Sequence, residues 1–295
     1  MRMYRAAVVA TTSLSPHLTR VTLGGAGLND FPTTGMPDEY VRLQLPNPGA
    51  ALVVPEISDA YEITYPEGVA QPDARVYTVS DHRVGEFGTE VDIDIALHAV
   101  GAGSAWARSV AVGDEVAIND AYGLYAASPT ATWQLLVCDL TGVPALARIL
   151  RGLTVAHTAR VTVVITDAAD VLDLPSVGNV TIDWVVVDHE HDIPEALERA
   201  VRAADLPADQ RFVWLAGEAR ASRAVRRYLR RELGWPQTDF YTCGYWQIEA
   251  EKWNARYKEV ADVVNAKATV AYERLAEDEG AYLDALDDIY DEAGL

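Results

Sequence analysis

Arg75-Val76-Tyr77-Thr78 and the later run Leu97-His98-Ala99-Val100-Gly101-Ala102-Gly103-Ser104-Ala105-Trp106-Ala107 decide the interpretation of this chain. The first run places an arginine, an aromatic ring and a hydroxyl on one extended segment. Residues two apart on a strand share a face, so Arg75 and Tyr77 lie on one side and Thr78 on the other. In the second run, a turn of small residues opens a helix. The chain therefore combines a strand that bears a cation and a ring with a helix start that a ligand can approach closely.

These residue types suit a flavin nucleotide. An arginine can neutralise its pyrophosphate, a ring can pack on its isoalloxazine, and a hydroxyl can approach its reactive nitrogen. Free N–H groups and the positive end of a helix opened by Gly101 and Gly103 also suit a pyrophosphate. The turn is not the dinucleotide-binding pattern G-x-G-x-x-G, because Trp106 stands where the third glycine belongs. The alternative for the segment 75–78 is an ordinary barrel strand whose polar residues face water. The alternative for His98 is a structural role.

Composition limits the function classes. The chain has 295 residues, enough for two domains with their own cores, and a mean hydropathy of -0.01. No apolar run approaches the roughly 18 residues of a membrane span. The first residues lead into a short mixed stretch rather than the apolar block of a signal peptide. We expect a cytoplasmic protein that does not enter a membrane.

Charge and cysteine content narrow the choice further. A net charge of -20 would repel the phosphates of nucleic acid, so we expect no nucleic-acid partner. An anionic substrate would need a locally basic cleft. The two cysteines, Cys138 and Cys243, are too few for a disulfide framework or for an iron–sulfur cluster, which usually takes four thiolates. Any redox centre must therefore be an organic cofactor.

The chain divides into three predicted parts. Residues 1–126 contain short alternating strands separated by turn formers, which predicts an antiparallel β-barrel. In Val91-Asp92-Ile93-Asp94-Ile95 one face is apolar and the other carries carboxylates. Residues 127–247 alternate continuous apolar strands with helices, which predicts a doubly wound parallel sheet of the α/β class. Residues 248–295 form an acidic C-terminal helical extension.

The helical tail has an amphipathic stripe and a strong acidic bias. Trp253, Tyr257, Val260 and Val264 recur at steps of three or four, and Gly280 is expected to break the helix. Residues 248–295 hold thirteen acidic and five basic side chains. We predict that the tail packs on the body of the protein or on a second subunit, so the protein is a monomer or a homodimer through this tail.

The motifs, taken together and in order, resemble the siderophore-interacting protein family of FAD-dependent ferric-siderophore reductases, which are built like ferredoxin–NADP reductases. R-x-Y-T and the Leu97–Ala107 run carry the resemblance. So do the runs 37–43 (PDEYVRL), 139–145 (DLTGVPA), 214–219 (WLAGEA) and 244–246 (GYW). The resemblance covers residues 1 to about 250. It implies an α/β two-domain fold with a ferredoxin reductase-type barrel before the parallel sheet.

The resemblance also implies a set of binding residues. Contacts to FAD fall on Arg75, Tyr77, Thr78, Val79, His98, Gly101, Gly103, Ser104, Ala105 and Trp106. Contacts to an NADH or NADPH donor fall on Asp139, Thr141, Gly217 and Glu218, which lie at the carboxyl ends of the predicted parallel strands. No side chain is assigned a catalytic role, because the flavin itself carries the electron chemistry.

The substrate implied by the resemblance is a ferric siderophore. For this chelate we name Arg42, Lys252 and Arg256 as candidate contacts, with pairing to Glu249, Glu251 and Glu259 as the alternative for the two tail cations. Four departures from the family pattern are Ser80, Leu140 in place of a carboxylate, Gln247 in place of an arginine, and the long tail. These departures weaken the assignment of the donor and substrate contacts, whereas the assignment of the FAD contacts does not depend on them.

Two further clusters have alternative interpretations. Arg220, Arg223, Arg226, Arg227, Arg230 and Arg231 crowd one predicted helix. They could bind a nucleotide phosphate or an acidic donor such as a ferredoxin, but we favour a solvated helix face. The run Asp188-His189-Glu190-His191-Asp192 lacks a third spaced ligand, so we predict no metal site. A general flavin reductase or diaphorase, and a non-catalytic binding protein of the same fold, remain the competing functions.

Overall fold

A computed structural model describes residues 2–47, 49–58, 63–86 and 88–295. The strands of the first unit are β1 Met3–Ser15, β2 Leu18–Gly24, β3 Tyr40–Leu45, β4 Glu56–Ile57, β5 Ile63–Thr64, β6 Asp73–Gly85, β7 Gly88–Ala96 and β8 Glu115–Asn119. Six of them close into a barrel in the order β1-β2-β7-β6-β3-β8, and β4 pairs with β5 in a separate small sheet. Every pairing in the barrel is antiparallel, so the predicted barrel is confirmed.

Strand β7 shows why the barrel closes. Val91, Ile93 and Ile95 alternate along it and are fully buried in the barrel core. The carboxylates that alternate with them, Asp92 and Asp94, are buried as well. Arg20 Nε lies 2.7 Å from Asp94 Oδ1, and Arg83 and Thr22 donate to Asp92. Buried carboxylates need such partners because an unpaired charge is costly to bury.

Helix α1, Ala102–Ser109, interrupts the barrel between β7 and β8. It begins at Ala102, directly after Gly101, whose φ is 112°. Such a positive φ is easy only for glycine. This glycine turns the chain sharply from β7 into the helix.

The second unit is a five-stranded parallel sheet covered by helices. Its strands are β9 Trp133–Asp139, β10 Thr158–Ile165, β11 Asn179–Val186, β12 Arg211–Glu218 and β13 Phe240–Trp246. The helices are α2 Val143–Gly152, α3 Ile193–Arg202 and α4 Ala219–Arg227, and α4 continues as a π-helical turn over Tyr228–Glu232. The strand order is β11-β10-β9-β12-β13, which confirms the doubly wound sheet. The order reverses between β9 and β12, where such sheets bind ligands.

Strand β9 is buried on both faces, as its continuous apolar run predicts. Leu136 and Cys138 pack in the core that contains α2, whereas Leu135 and Val137 pack in the core that contains α3 and α4. Burial raises the pKa of the Cys138 thiol. Cys243 on β13 is only half-buried, whereas Cys138 is fully buried.

The tail is a helical hairpin of α5 Ala250–Leu275 and α6 Glu279–Ala293. The break lies at residues 276–278, where Asp278 caps α6 by accepting a hydrogen bond from the Ala281 amide. The prediction that Gly280 breaks the helix is wrong, because Gly280 lies inside α6. A Cβ at Gly280 would lie 2.1 Å from Arg230 Nη1, so this glycine lets α6 approach α4 closely.

Helix α6 covers the arginine-rich helix. Six ion pairs among the described residues join the two, and they are Arg226–Asp284, Arg226–Asp287, Arg227–Asp291, Arg230–Asp284, Arg231–Asp284 and Arg231–Asp288. The favoured prediction of a solvated face is therefore wrong for Arg226 and Arg230, whereas Arg227 and Arg231 remain partly exposed beside their aspartates. The acidic tail lies on these arginines because opposite charges compensate each other at a partly buried interface. The prediction that the tail packs on the body of the protein is confirmed.

The limits of the three parts at 1–126, 127–247 and 248–295 remain our proposal. The barrel strands, the parallel strands and the hairpin each fall within one of these ranges. Within the described residues, no helix combines the length and apolar character needed to cross a membrane.

Candidate functional site

The segment 75–78 on β6 and the start of α1 within 97–107 contact each other. A Cβ at Gly103 would lie 1.9 Å from Tyr77 Oη and 3.8 Å from Arg75 Cγ. Only a residue without a side chain therefore allows the first turn of α1 to approach β6 this closely. The fold thus places an arginine, a tyrosine and a helix N-terminus beside one another.

Arg75 supplies the positive charge at this junction. Its side chain is 44% exposed, and its Nη2 lies 3.1 Å from Asp73 Oδ1. The first amides of α1 lack partners within the helix, and the helix dipole makes this end positive. A half-exposed guanidinium beside such a helix end suits a pyrophosphate, so these residues fit FAD.

Tyr77 and its neighbours lie deeper. Tyr77 packs against the barrel core, and burial raises its pKa to about 12. Thr78 is buried next to Tyr245 of β13. Burial raises the pKa of Tyr245, and a hydrogen bond with Thr78 opposes this shift. Val79 is also buried, and its carbonyl accepts a hydrogen bond from Arg148 Nη1 at 2.6 Å.

His98 links this junction to the parallel sheet. Its amide donates to Ser104 Oγ at 2.9 Å, which ties it to the first turn of α1. Its ring lies 4.7 Å from the Trp246 ring, centroid to centroid, and its Nδ1 lies 3.1 Å from Glu190 Oε1. His98 therefore stands between the barrel and the carboxyl ends of the parallel strands.

The rest of the α1 turn is structural in character. The Ala105 amide donates to the Gly101 carbonyl at 3.0 Å, which starts the helix, and Trp106 packs on the barrel core. Their predicted cofactor contacts remain predictions.

A cleft of about 260 Å³ opens next to His98 between the two units. Barrel residues, among them His17 and Arg108, line one side, and Asp139, Thr141 and Thr166 line the other at the ends of β9 and β10. Strand ends of this kind are where α/β sheets bind nucleotides. The cleft therefore lies where α/β sheets bind nucleotides, and a nicotinamide donor there remains a prediction.

Asp139 organises the floor of the cleft. Its Oδ1 accepts hydrogen bonds from the amide and hydroxyl of Thr141 at 2.9 and 2.6 Å. Its Oδ2 accepts one from Trp246 Nε1 at 2.7 Å. A Cβ at Gly217 would lie 2.4 Å from this Oδ2, so the glycine makes room for the carboxylate. Burial raises the pKa of Asp139, and the hydrogen bonds from Thr141 and Trp246 oppose the shift.

Glu218 is fully buried and has a different task. Its Oε2 accepts from the Arg220 amide at 2.6 Å, which caps α4, and its Oε1 accepts from the Ile248 amide at 3.2 Å. Both oxygens are thus engaged within the protein. The predicted contact of Glu218 with a donor remains a prediction.

The three predicted substrate contacts lie on two elements, Arg42 on β3 and the other two four residues apart on α5. Arg42 is exposed on β3 and lies opposite Val76 of β6. Lys252 forms an ion pair with Glu249, and Arg256 pairs with Glu259 and donates to the Ala293 carbonyl. The alternative of local ion pairs is thus confirmed for both tail cations, and their contact with a chelate remains a prediction.

Two residues of the site, Arg148 and Trp246, were not predicted from the sequence. Arg148 contacts Glu39 and the Val79 carbonyl, and Trp246 holds Asp139. Trp246 could have been found, since it stands in the quoted G-Y-W run. Arg148 gives no local signal, because its partners lie far away in sequence. No group of three or more metal-ligating side chains was found among the described residues.

The chain matches two family models. Residues 7–123 match the siderophore-interacting FAD-binding domain, and residues 131–249 match the siderophore-interacting protein model. The first range covers the barrel and α1, and the second covers the parallel sheet. Neither model reaches the α5–α6 hairpin.

Curated relatives and solved structures agree with these matches. The NADPH-dependent ferric-chelate reductase of Escherichia coli (strain K12) is 28% identical over 84% of this chain and 94% of its own length. Ferric vibriobactin reductase ViuB of Vibrio cholerae is 27% identical over 79% and 85%. The structure of a siderophore utilization protein from T. fusca superimposes with a TM-score of 0.72 at 26% identity, over 84% of this chain and 94% of that one. The chain belongs to the siderophore-interacting protein family and is a flavin-dependent oxidoreductase with a FAD-binding barrel.

Proposed function

We propose that this protein is a ferric-siderophore reductase that passes electrons from NADH or NADPH through FAD to an Fe(III) chelate. The observation that carries the proposal is the contact of the Gly103 turn with Tyr77 and Arg75, adjoining the cleft at the ends of β9 and β10. His98 belongs both to the first turn of α1, because its amide bonds to Ser104, and to the lining of the cleft. A site for FAD and a site for its donor would thus be continuous.

The names of two relatives support the substrate class. One is called a ferric-chelate reductase and the other a ferric vibriobactin reductase, and each shares most of its length with this chain. Reduction of Fe(III) to Fe(II) weakens bonds to hard oxygen ligands, so a reductase of this kind would release the iron.

Each group of residues has a stated task in this proposal. FAD, when bound, supplies the ability to take up two electrons together and release them singly. Arg75 and the first turn of α1 hold its pyrophosphate, and Tyr77 and Thr78 position the ring at the edge of the barrel. Asp139 and Thr141 orient the donor, while Trp246 and His98 close the cleft between FAD and donor sites. Arg42 is the exposed barrel cation for a chelate.

The test is an anaerobic experiment with the yellow holoprotein. NADH or NADPH is added first, and bleaching of the flavin absorbance is recorded. A ferric hydroxamate chelate is added next, with an Fe(II)-specific chromophore present. We expect bleaching by a reduced nicotinamide, recovery on adding the chelate, and one Fe(II) formed for each electron returned. Bleaching without recovery would contradict the proposal.

Gln247 favours one alternative, a general flavin reductase or diaphorase. It replaces an arginine that follows G-Y-W in the family pattern, so a cation for anionic chelates is missing. The same experiment separates the two functions, because a diaphorase would reduce quinones or free flavins and leave the ferric chelate unchanged.

The remaining partners are also proposals. An acidic ferredoxin as donor would have to dock away from the α4 arginines that α6 occupies. A homodimer would form through the outer face of α5, where Val263 and Val270 are exposed. We keep a monomer as the alternative.

A further inference from the structure

The part of the sheet that would receive the adenosine end of a donor carries no strong base. Residues 161–198 include the C-terminal part of β10, all of β11 and the loops after them, and they contain nine aspartates and glutamates without one lysine or arginine. The carboxylates that follow β10 are Asp167, Asp170 and Asp173, and those that follow β11 are Asp188, Glu190 and Asp192. Both sets lie at the carboxyl ends of their strands, on the side of the cleft.

Asp167 is the first carboxylate after the end of β10. It follows Thr166, which lines the cleft directly. Its Oδ1 accepts a hydrogen bond from the Ala169 amide at 2.9 Å, which fixes the side chain at the start of a short turn. Oδ2 has no partner in the described part of the chain, so it is available to a ligand.

The barrel side of the cleft carries Arg108, whose Nη2 donates to the His98 carbonyl at 2.6 Å, and a histidine that contacts a carboxylate. His17 lines the same cleft from the barrel, and its Nδ1 lies 2.8 Å from Asp170 Oδ2. Asp170 is buried and also accepts hydrogen bonds from Ser15 Oγ and the His17 amide. Asp170 is thus the partner of the His17 ring, and Arg108 is bonded to the His98 carbonyl on the barrel side, across the cleft from the end of β10.

These observations bear on the identity of the donor. In doubly wound folds, a carboxylate after the second strand accepts a hydrogen bond from the ribose 2′-hydroxyl of NADH, whereas NADPH requires a cation there for its 2′-phosphate. Here β10 is the second strand of the sheet along the chain. A phosphate beside Asp167 would face like charge in a cleft that screens poorly.

We propose that the cleft selects NADH over NADPH, with Asp167 as the specificity-determining residue. The inference rests on the proposed function, because it concerns the donor of the same flavin. It distinguishes this chain from its Escherichia coli relative, which is named for NADPH.

Direct binding tests the inference without turnover. Calorimetric titrations of the FAD-loaded protein with NAD⁺ and with NADP⁺ give both dissociation constants, and anaerobic flavin bleaching by NADH and NADPH gives both rates. We expect NAD⁺ to bind at least tenfold more tightly, and the rates to follow (tenfold is about 1.4 kcal/mol). Equal or tighter binding of NADP⁺ overturns the inference and leaves the reductase proposal intact. If neither dinucleotide binds or bleaches the flavin, the reductase proposal itself fails.

Three variants assign the selectivity to a residue. Asp167→Asn keeps the Oδ1 acceptor for Ala169 but removes the charge, so the ratio of the two dissociation constants should fall at least threefold. Asp183→Asn removes the same charge from an exposed position in the middle of β11, and should leave the ratio unchanged. Ala168→Arg adds a cation at the exposed neighbouring position and should tighten NADP⁺ binding. Equal ratios in Asp167→Asn and Asp183→Asn would overturn the assignment to Asp167.

Discussion

Arg148 of α2 forms an ion pair with Glu39, which precedes β3 in the barrel, and the Nη2–Oε1 distance is 2.9 Å. The same guanidinium donates from Nη1 to the Val79 carbonyl on β6 at 2.6 Å. Glu39 is fully buried and accepts further hydrogen bonds from Thr33 and Thr34. One side chain of the parallel-sheet unit therefore holds the barrel strand that carries Arg75 and Tyr77.

Replacement of Arg148 by leucine should destabilise the protein strongly. Removal of one partner from a buried ion pair leaves an uncompensated charge, which costs about 3–5 kcal/mol. Arg160→Leu is the matched control, since Arg160 is exposed on β10 and bonds only to Thr181 among its described neighbours. Urea unfolding of both variants measures the difference. A loss below about 1 kcal/mol for Arg148→Leu would show that the pair does not hold the two units together.

Glu39 should make the stability of the protein sensitive to acid. Burial alone would raise its pKa, but hydrogen bonds from Thr34 and Thr33 and the charge of Arg148 lower it below the ordinary glutamate value of 4.5. A carboxyl with a lowered pKa in the folded state stabilises the protein above its unfolded pKa. This contribution is lost as the pH falls through the lower, folded pKa.

The measurement for Glu39 is the free energy of unfolding between pH 3 and pH 6. The wild-type protein should lose stability below about pH 4.5, and Glu39→Gln should lose less of it over the same interval. Parallel curves for the two proteins would mean that other carboxyls cause the acid sensitivity.

Gly103→Ala should weaken FAD binding with little effect on folding elsewhere. The new Cβ would lie 1.9 Å from Tyr77 Oη, so the first turn of α1 and the tyrosine must move apart. Gly152→Ala in α2 is the control, because a Cβ there meets nothing within 4 Å. Fluorescence titration of the apoproteins with FAD should give a dissociation constant at least tenfold higher for Gly103→Ala, or about 1.4 kcal/mol. Equal constants would exclude the close approach as a requirement for binding.

Asp287→Ala should release the tail. Asp287 and Arg226 are both buried and bonded to each other. The variant leaves the buried guanidinium to Asp284 Oδ1 at 3.8 Å and the Leu283 carbonyl at 3.2 Å, which should cost up to about 3 kcal/mol. Asp262→Ala removes an exposed carboxylate of α5 as the control. Hydrogen exchange should speed up across α6 in the first variant only. Unchanged exchange in α6 would show that the remaining arginine–aspartate pairs suffice.

The barrel and the sheet could be predicted because their signals are local. Alternation in β7 and the continuous apolar run of β9 each identify a strand from its own residues. The site was predictable in part for the same reason, since Arg75, Tyr77 and the Gly103 turn are short motifs. These motifs come into contact because α1 follows β7 directly.

The other features depend on contacts between distant segments. Nothing near Arg148 indicates that Glu39 is its partner, and the arginine-rich run gave no sign that α6 would pair with four of its arginines. Gly280 was misjudged because a glycine within a helix can also permit close packing, as it does against Arg230. Such pairings follow from how the units fold together, which a single sequence does not reveal.

The flavin content of Arg75→Ala tests the central claim most directly. Arg75 is half exposed and pairs with exposed Asp73, so its loss should spare the fold while removing the cation for the pyrophosphate. Arg5→Ala removes another exposed arginine of the barrel and is the control. After purification with excess FAD and gel filtration, we expect yellow wild-type and Arg5→Ala proteins, and largely colourless Arg75→Ala and Tyr77→Ala proteins. Full retention of FAD by both junction variants would contradict the account.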